Sequence, residues 1–114
     1  MLTSGDVVDL ELGTPEGREA GFRHPGVIVT AQRILDASPS VVHVVPLTTT
    51  VRTFGSEVVL EPDPSNGLDV ASAAQCQHVR SVSTVRVRSV RGNVGAVALS
   101  QVRETIGVIL DLPS

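Results

Sequence analysis

Two short stretches hold side chains able to move protons or grip a phosphate. Arg23-His24 stands directly before Pro25 and the apolar run Val27-Ile28-Val29-Thr30. An arginine offsets charge that develops on a phosphorane, and a histidine moves protons near neutral pH. Thr48 follows Val44-Val45-Pro46-Leu47. Its hydroxyl can donate to a phosphate oxygen while accepting from another group. Singly, each residue has an ordinary reading. Arg23 is then a surface charge at a loop end, and His24 a half-buried ring bonded to backbone. Thr48 would satisfy its own local backbone. Placed at the mouths of rigid strands, the two stretches are expected to meet at one site. Neighbouring residues of an extended chain point opposite ways, so only one of Arg23 and His24 is expected to aim into it.

Other reactive side chains carry weaker signals. Alternation along residues 71–80 places His78 and Arg80 on one strand face, two residues apart, where they could line a groove or simply face solvent. His43 lies inside Val41-Val42-His43-Val44-Val45 and reads as a satisfied core histidine. Cys76 reads as a small core residue, since only a distant histidine could activate it. Three scattered histidines and one cysteine make no metal-ligand pattern, and no cofactor motif is present.

These side chains need strands and loops to hold them. A strand is expected from about residue 6 to 12, where Val7-Val8-Asp9-Leu10-Glu11-Leu12 turns alternating. Residues 13–21, with three glycines and a proline, read as a loop. Val27 to Thr30 reads as a second strand buried on both faces. Residues 31–37 suit a short helical turn, ended by Ser38-Pro39. Val41 to Val45 reads as a third strand closed by Pro46, and Glu57 to Leu60 as a fourth. The segment 61–67 is a loop with two prolines and an Asn-Gly step. Residues 71–80 read as a fifth strand, 81–88 are ambiguous, and 90–95 form a short glycine-flanked strand. Leu99, Val102, Ile106, Ile109 and Leu110 recur at helical spacing and predict a terminal helix. The sum is a mainly β domain with a C-terminal helix, as an antiparallel β-barrel or curved sheet.

Composition narrows the function classes. The chain has 114 residues, which suits a single domain over 1–114. Phe22 and Phe54 are its only aromatics, so a stacking platform for bases of the kind single-strand binders build is not expected. The single cysteine rules out an internal disulfide and suits a reducing, cytoplasmic setting. No apolar run approaches a membrane span, and the N-terminus lacks a signal-peptide pattern. The net charge is −3, yet residues 70–103 carry five arginines and no acid. Such a region suits either an anionic partner or a solvated arginine face.

In this order and spacing the segments resemble the MazF/PemK (Kid-like) family of toxin endoribonucleases. Ser4-Gly5-Asp6 stands where the family has Arg-Gly-Asp/Glu. Residues 17–29 match its loop running to Arg-Pro and an apolar strand. Val44-Val45-Pro46-Leu47-Thr48-Thr49 matches its Pro-x-Thr-Ser/Thr strand end, and Gln77-His78-Val79-Arg80-Ser81-Val82 its Gln-Val/Ile-Arg segment. Asn93-Val94-Gly95 and Leu110-Asp111-Leu112 match its closing elements. The resemblance implies an SH3-like barrel that dimerises, cuts cellular RNA without a metal or cofactor, and is neutralised by a cognate antitoxin. It implies catalytic roles for Thr48 and for the residue before Pro25. That position holds His24, with Arg23 one place earlier, so both are candidates. It also implies RNA contacts from Glu19, Thr49, Gln77, His78 and Arg80. The family's glutamine falls on His78. Alternatives from other classes are a non-catalytic SH3-like barrel that binds RNA or protein, and a gyrase-directed toxin of the CcdB kind.

Overall fold

The computed structural model describes residues 1–12 and 23–113. The loop expected over 13–21, and Glu19 with it, lies outside the described residues. The described chain runs β1 (Asp6–Glu11), β2 (Arg23–Ile28), α1 (Gln32–Leu35), β3 (Val41–Thr48), β4 (Glu57–Leu60), β5 (Ser72–Gln75), β6 (Arg80–Ser83), β7 (Val87–Asn93) and α2 (Gly95–Ile109). Single 3-10 turns, Cys76–His78 and Thr84–Arg86, link β5 to β6 and β6 to β7. The seven strands form one antiparallel, SH3-like sheet ordered β4-β5-β3-β2-β1-β7, with β6 also beside β3.

The valine-rich runs become the middle of the sheet because both of their faces are covered. On one face Val7, Val27, Val45, Leu47, Ala74 and Cys76 form a core with Val102 of α2. On the other, Val8, Leu10, Ile28, Val42, Val44 and Val82 form a second core with Leu35 of α1. Adjacent residues of β1, β2 and β3 alternate between these clusters, as period-two geometry demands. The terminal helix forms where expected. Leu99 and Val102 are buried, while Ile109 and Leu110 are exposed. His43 corrects the expectation of a core histidine. It is exposed, on the α2 side of β3, where it lines an open groove with Arg103 and Ile106 of α2 rather than packing into the core.

Both prolines expected to bound strands lie inside them. Residues 23–25 of β2 pair with β1, and the recorded β3 partners begin only at Gly26. Pro25 therefore lies where β2 has an open edge, and such edges tolerate a missing N–H. Pro46 sits in β3 at a change of partner. Val41–Val44 pair with β6, whereas Leu47 and Thr48 pair with β5. That change also breaks the expected fifth strand. Moving from Leu47 to Val44 along β3 takes three residues, but their partners run from Ala74 to Arg80. The surplus is taken up by the 3-10 turn Cys76–His78, which tucks Cys76 fully into the core.

Candidate active site

The candidate site lies at the end of β3, where β2 and β3 part. Their register pairs Gly26 with Pro46 and Ile28 with Val44. The recorded pairing ends at Gly26–Pro46, and by alternation His24 and Thr48, each two residues beyond it, lie on the same sheet face. Opposite residues share a face and successive residues alternate, so Arg23 belongs to the other one. It is exposed, across from Glu11 of β1. The residue that shares a face with Thr48 is therefore His24.

His24 pairs with Leu10 and is half-buried. Burial lowers its pKa from the ordinary 6.5, because desolvation penalises the imidazolium. The ring is thus neutral at pH 7, the state that accepts a proton. Thr48, also half-buried, pairs with Ala73 of β5. Its Oγ1 accepts a hydrogen bond from the Thr50 N–H at 3.1 Å. That bond fixes the oxygen and leaves the hydroxyl proton to be donated elsewhere. Thr49 is exposed beside it.

The same face carries a buried carboxylate that the sequence reading did not single out. Glu57 opens β4 opposite Gln75, and Val59 lies opposite Ala73, the partner of Thr48. The Glu57 side chain is 0% exposed. Its Oε2 accepts from Arg52 Nη2 at 2.7 Å and from Gln77 Nε2 at 2.9 Å. The Gln77 hydrogen bond, and then Arg52, lower its pKa despite the opposing cost of burial. Glu57 is therefore ionised at neutral pH. Its Oε1 and the Oε1 of Gln77 are buried without partners among the described residues. Arg52 lies in the β3–β4 segment, four residues beyond Thr48, with its guanidinium 4.8 Å from the Phe54 ring centroid. The available signal was an acid heading an apolar strand, five residues after an arginine.

The remaining expected contacts separate. Gln77 is turned inward to Glu57. His78 is exposed at the end of the 3-10 turn, and that turn removes the alternation expected to align it with Arg80. Arg80 stands opposite Val44, about 13 Å along β3 from Thr48. It lines a separate groove of about 520 Å³ with His43, Val79, Arg103 and Ile106. Most arginines of 70–103 do structural work. Arg88 pairs with Glu11 at 2.5 Å and Arg91 with Asp9 at 3.0 Å, tying β7 to β1. Arg86 donates to the Glu11 carbonyl, and Arg103 of α2 donates to the carbonyls of Val29 and Thr30. Cys76 is inert, since burial pushes its thiol up to about 11.

A family model described as "PemK-like, MazF-like toxin of type II toxin-antitoxin system" matches residues 3–110. The chain belongs to this MazF/PemK-like toxin family. It is 30% identical over 116 residues to the endoribonuclease MazF9 of Mycobacterium tuberculosis, covering 98% of each chain. Two solved structures share the fold. The M. tuberculosis toxin MazF-mt6 superposes with a TM-score of 0.77 at 24% identity, over 96% of this chain and 99% of that one. A MazE–MazF structure from Deinococcus radiodurans gives 0.78 at 22% identity, over 96% of each. Against the MazF/PemK pattern, His24 occupies the place of the arginine before proline. The fold presents it on the Thr48 face, while Arg23 is turned away.

Proposed function

We propose that this MazF/PemK-like chain is a metal-independent endoribonuclease that cleaves cellular RNA, messenger or structured, with His24 and Thr48. What supports the reading is that His24 and Thr48 each lie two residues beyond the Gly26–Pro46 pair, on one sheet face, where β2 and β3 part. Neutral His24 takes the proton of a ribose 2′-hydroxyl. The 2′ oxygen attacks the adjacent phosphorus, the P–O5′ bond breaks, and the 5′ oxygen leaves with a proton from water. The products are a 2′,3′-cyclic phosphate and a 5′-hydroxyl. Thr48 donates its hydroxyl to a non-bridging oxygen as negative charge gathers there. The kinship with MazF9 supports the reaction class.

On this reading the toxin acts in the cytoplasm as a homodimer and is held inactive by a cognate antitoxin. A fold shared with a mycobacterial endoribonuclease bound to its cognate antitoxin supports that assignment. The test is incubation of the purified chain with total RNA in EDTA, followed by analysis of the new termini. Cyclic-phosphate and 5′-hydroxyl ends support the reading. Intact RNA, or inhibition of gyrase without RNA cleavage, rejects it in favour of a non-catalytic barrel or a CcdB-like toxin.

A further inference from the structure

We infer that Phe54 and Arg52 form a stacking subsite for one base of the RNA, next to the Thr48 phosphate site. This inference rests on the proposed RNA cleavage and adds a subsite to it. Phe54 is one of two aromatics in the chain and is 52% exposed. One side of its ring is occupied by the Arg52 guanidinium at 4.8 Å. The exposed remainder can stack on a base, and a planar guanidinium beside it widens the platform and adds a cation.

The pair is built into place. Arg52 is fixed by its 2.7 Å bond to Oε2 of the fully buried Glu57, an oxygen that Gln77 also holds. Thr53, between Arg52 and Phe54, has φ +56, a left-handed conformation unfavourable for a β-branched residue. The Arg52 guanidinium and the Phe54 ring meet across this residue, and strain of this kind concentrates at functional sites. The Phe54 carbonyl accepts from the Glu57 N–H at 3.0 Å, which anchors the far end of the turn. The Arg52 side chain remains 42% exposed, with guanidinium N–H groups left over for a phosphate oxygen. The register places Glu57 two strands across and one two-residue step along from Thr48, on the same face. That separation is on the order of 12 Å between the Glu57 and Thr48 Cα atoms, and Arg52, bonded to Glu57, stands within reach of a few nucleotides from Thr48.

The experiment places 2-aminopurine, a base whose fluorescence is quenched on stacking, at successive positions of a short RNA. The RNA is bound to the Thr48→Ala protein so that it stays intact. Quenching at one position is expected, lost on adding Phe54→Leu and kept with Phe54→Trp. Affinity should fall roughly 5- to 100-fold with Phe54→Leu. In the otherwise native protein Phe54→Leu should raise KM by a similar factor while kcat stays within about threefold. Unquenched fluorescence at every position, or unchanged affinity and KM with Phe54→Leu, overturns the subsite. If RNA is bound with quenching but never cut by the native chain, the cleavage reading falls and the stacking subsite stands. Because Phe54 is exposed, Phe54→Leu should melt within about 2 °C of the parent, and Phe54→Trp provides a folded comparison.

Discussion

His24 and Thr48 carry the chemistry in this account, and each makes a separable prediction. His24→Ala should lower kcat/KM by about 100-fold or more, within the usual range for losing a general base. Arg23→Ala should change it by less than about fivefold, since Arg23 lies on the other face. Because burial lowers the His24 pKa, the rate should rise with pH through a midpoint below 6.5 and level off above it. The same shift has a stability consequence. Between the lowered folded pKa and the unfolded value the unfolded chain binds more protons, so stability falls as pH drops below about 6.5. A rate midpoint above 6.5 that survives in His24→Ala contradicts the assignment. Thr48→Ala should cost about 100-fold in kcat with an unchanged melting temperature, and Thr48→Ser should retain most activity. The residue types of the candidate site can be read from the sequence. Which of Arg23 and His24 shares the Thr48 face cannot, because it depends on pairing between strands that sequence spacing does not reveal.

At the scale of elements, the β3–β4 segment depends on Glu57. Replacing its carboxylate with an amide in Glu57→Gln weakens two charge-assisted bonds, one of them to a half-exposed arginine. The expected loss is about 2 kcal/mol, or about 5–10 °C in melting temperature. The lowered pKa means that Glu57 stabilises the fold above its unfolded value of 4.5. That contribution disappears as pH falls through the depressed folded value. Native and Glu57→Gln proteins should therefore converge in stability in strong acid; a constant gap down to pH 2 contradicts this. A second joint locks the 61–67 loop onto β7. A Cβ on Gly67 would stand 2.5 Å from the Arg91 carbonyl oxygen, and one on Gly92 would strike the Ser65 carbonyl. Gly92→Ala should destabilise by about 1–3 kcal/mol, visible in urea unfolding, because the Asn93 N–H to Ser65 bond at 2.9 Å would have to give. Strand β4 and helix α2 were legible because their patterns are local. Pro25 and Pro46 looked like strand ends because their tolerance depends on partners absent from the sequence. The turn at Cys76–His78 carries no glycine or proline to announce it, and arises from β3 exchanging one neighbour for another.

For the whole molecule, the fold class followed from valine-rich alternation and one amphipathic tail, and the family relationship from the order of several weak motifs. The arginines of 70–103 show where charge counting stops. Arg88 and Arg91 are spent on Glu11 and Asp9, so the basic region is largely a clamp between β7 and β1. The acidic chain should consequently bind RNA with a shallow salt dependence. Two or three phosphate contacts would give a slope of log K against log salt of about −1.4 to −2.1. Titrations at several salt concentrations measure it, and a slope steeper than about −4 would return the arginine region to the RNA path.

The most direct test of the central claim is an end-group analysis of RNA incubated in EDTA with the native, His24→Ala and Arg23→Ala proteins. Cyclic-phosphate and 5′-hydroxyl termini are expected from the native and Arg23→Ala proteins, and almost none from His24→Ala. Cleavage by His24→Ala at the native rate, or no cleavage by the native protein, would contradict it.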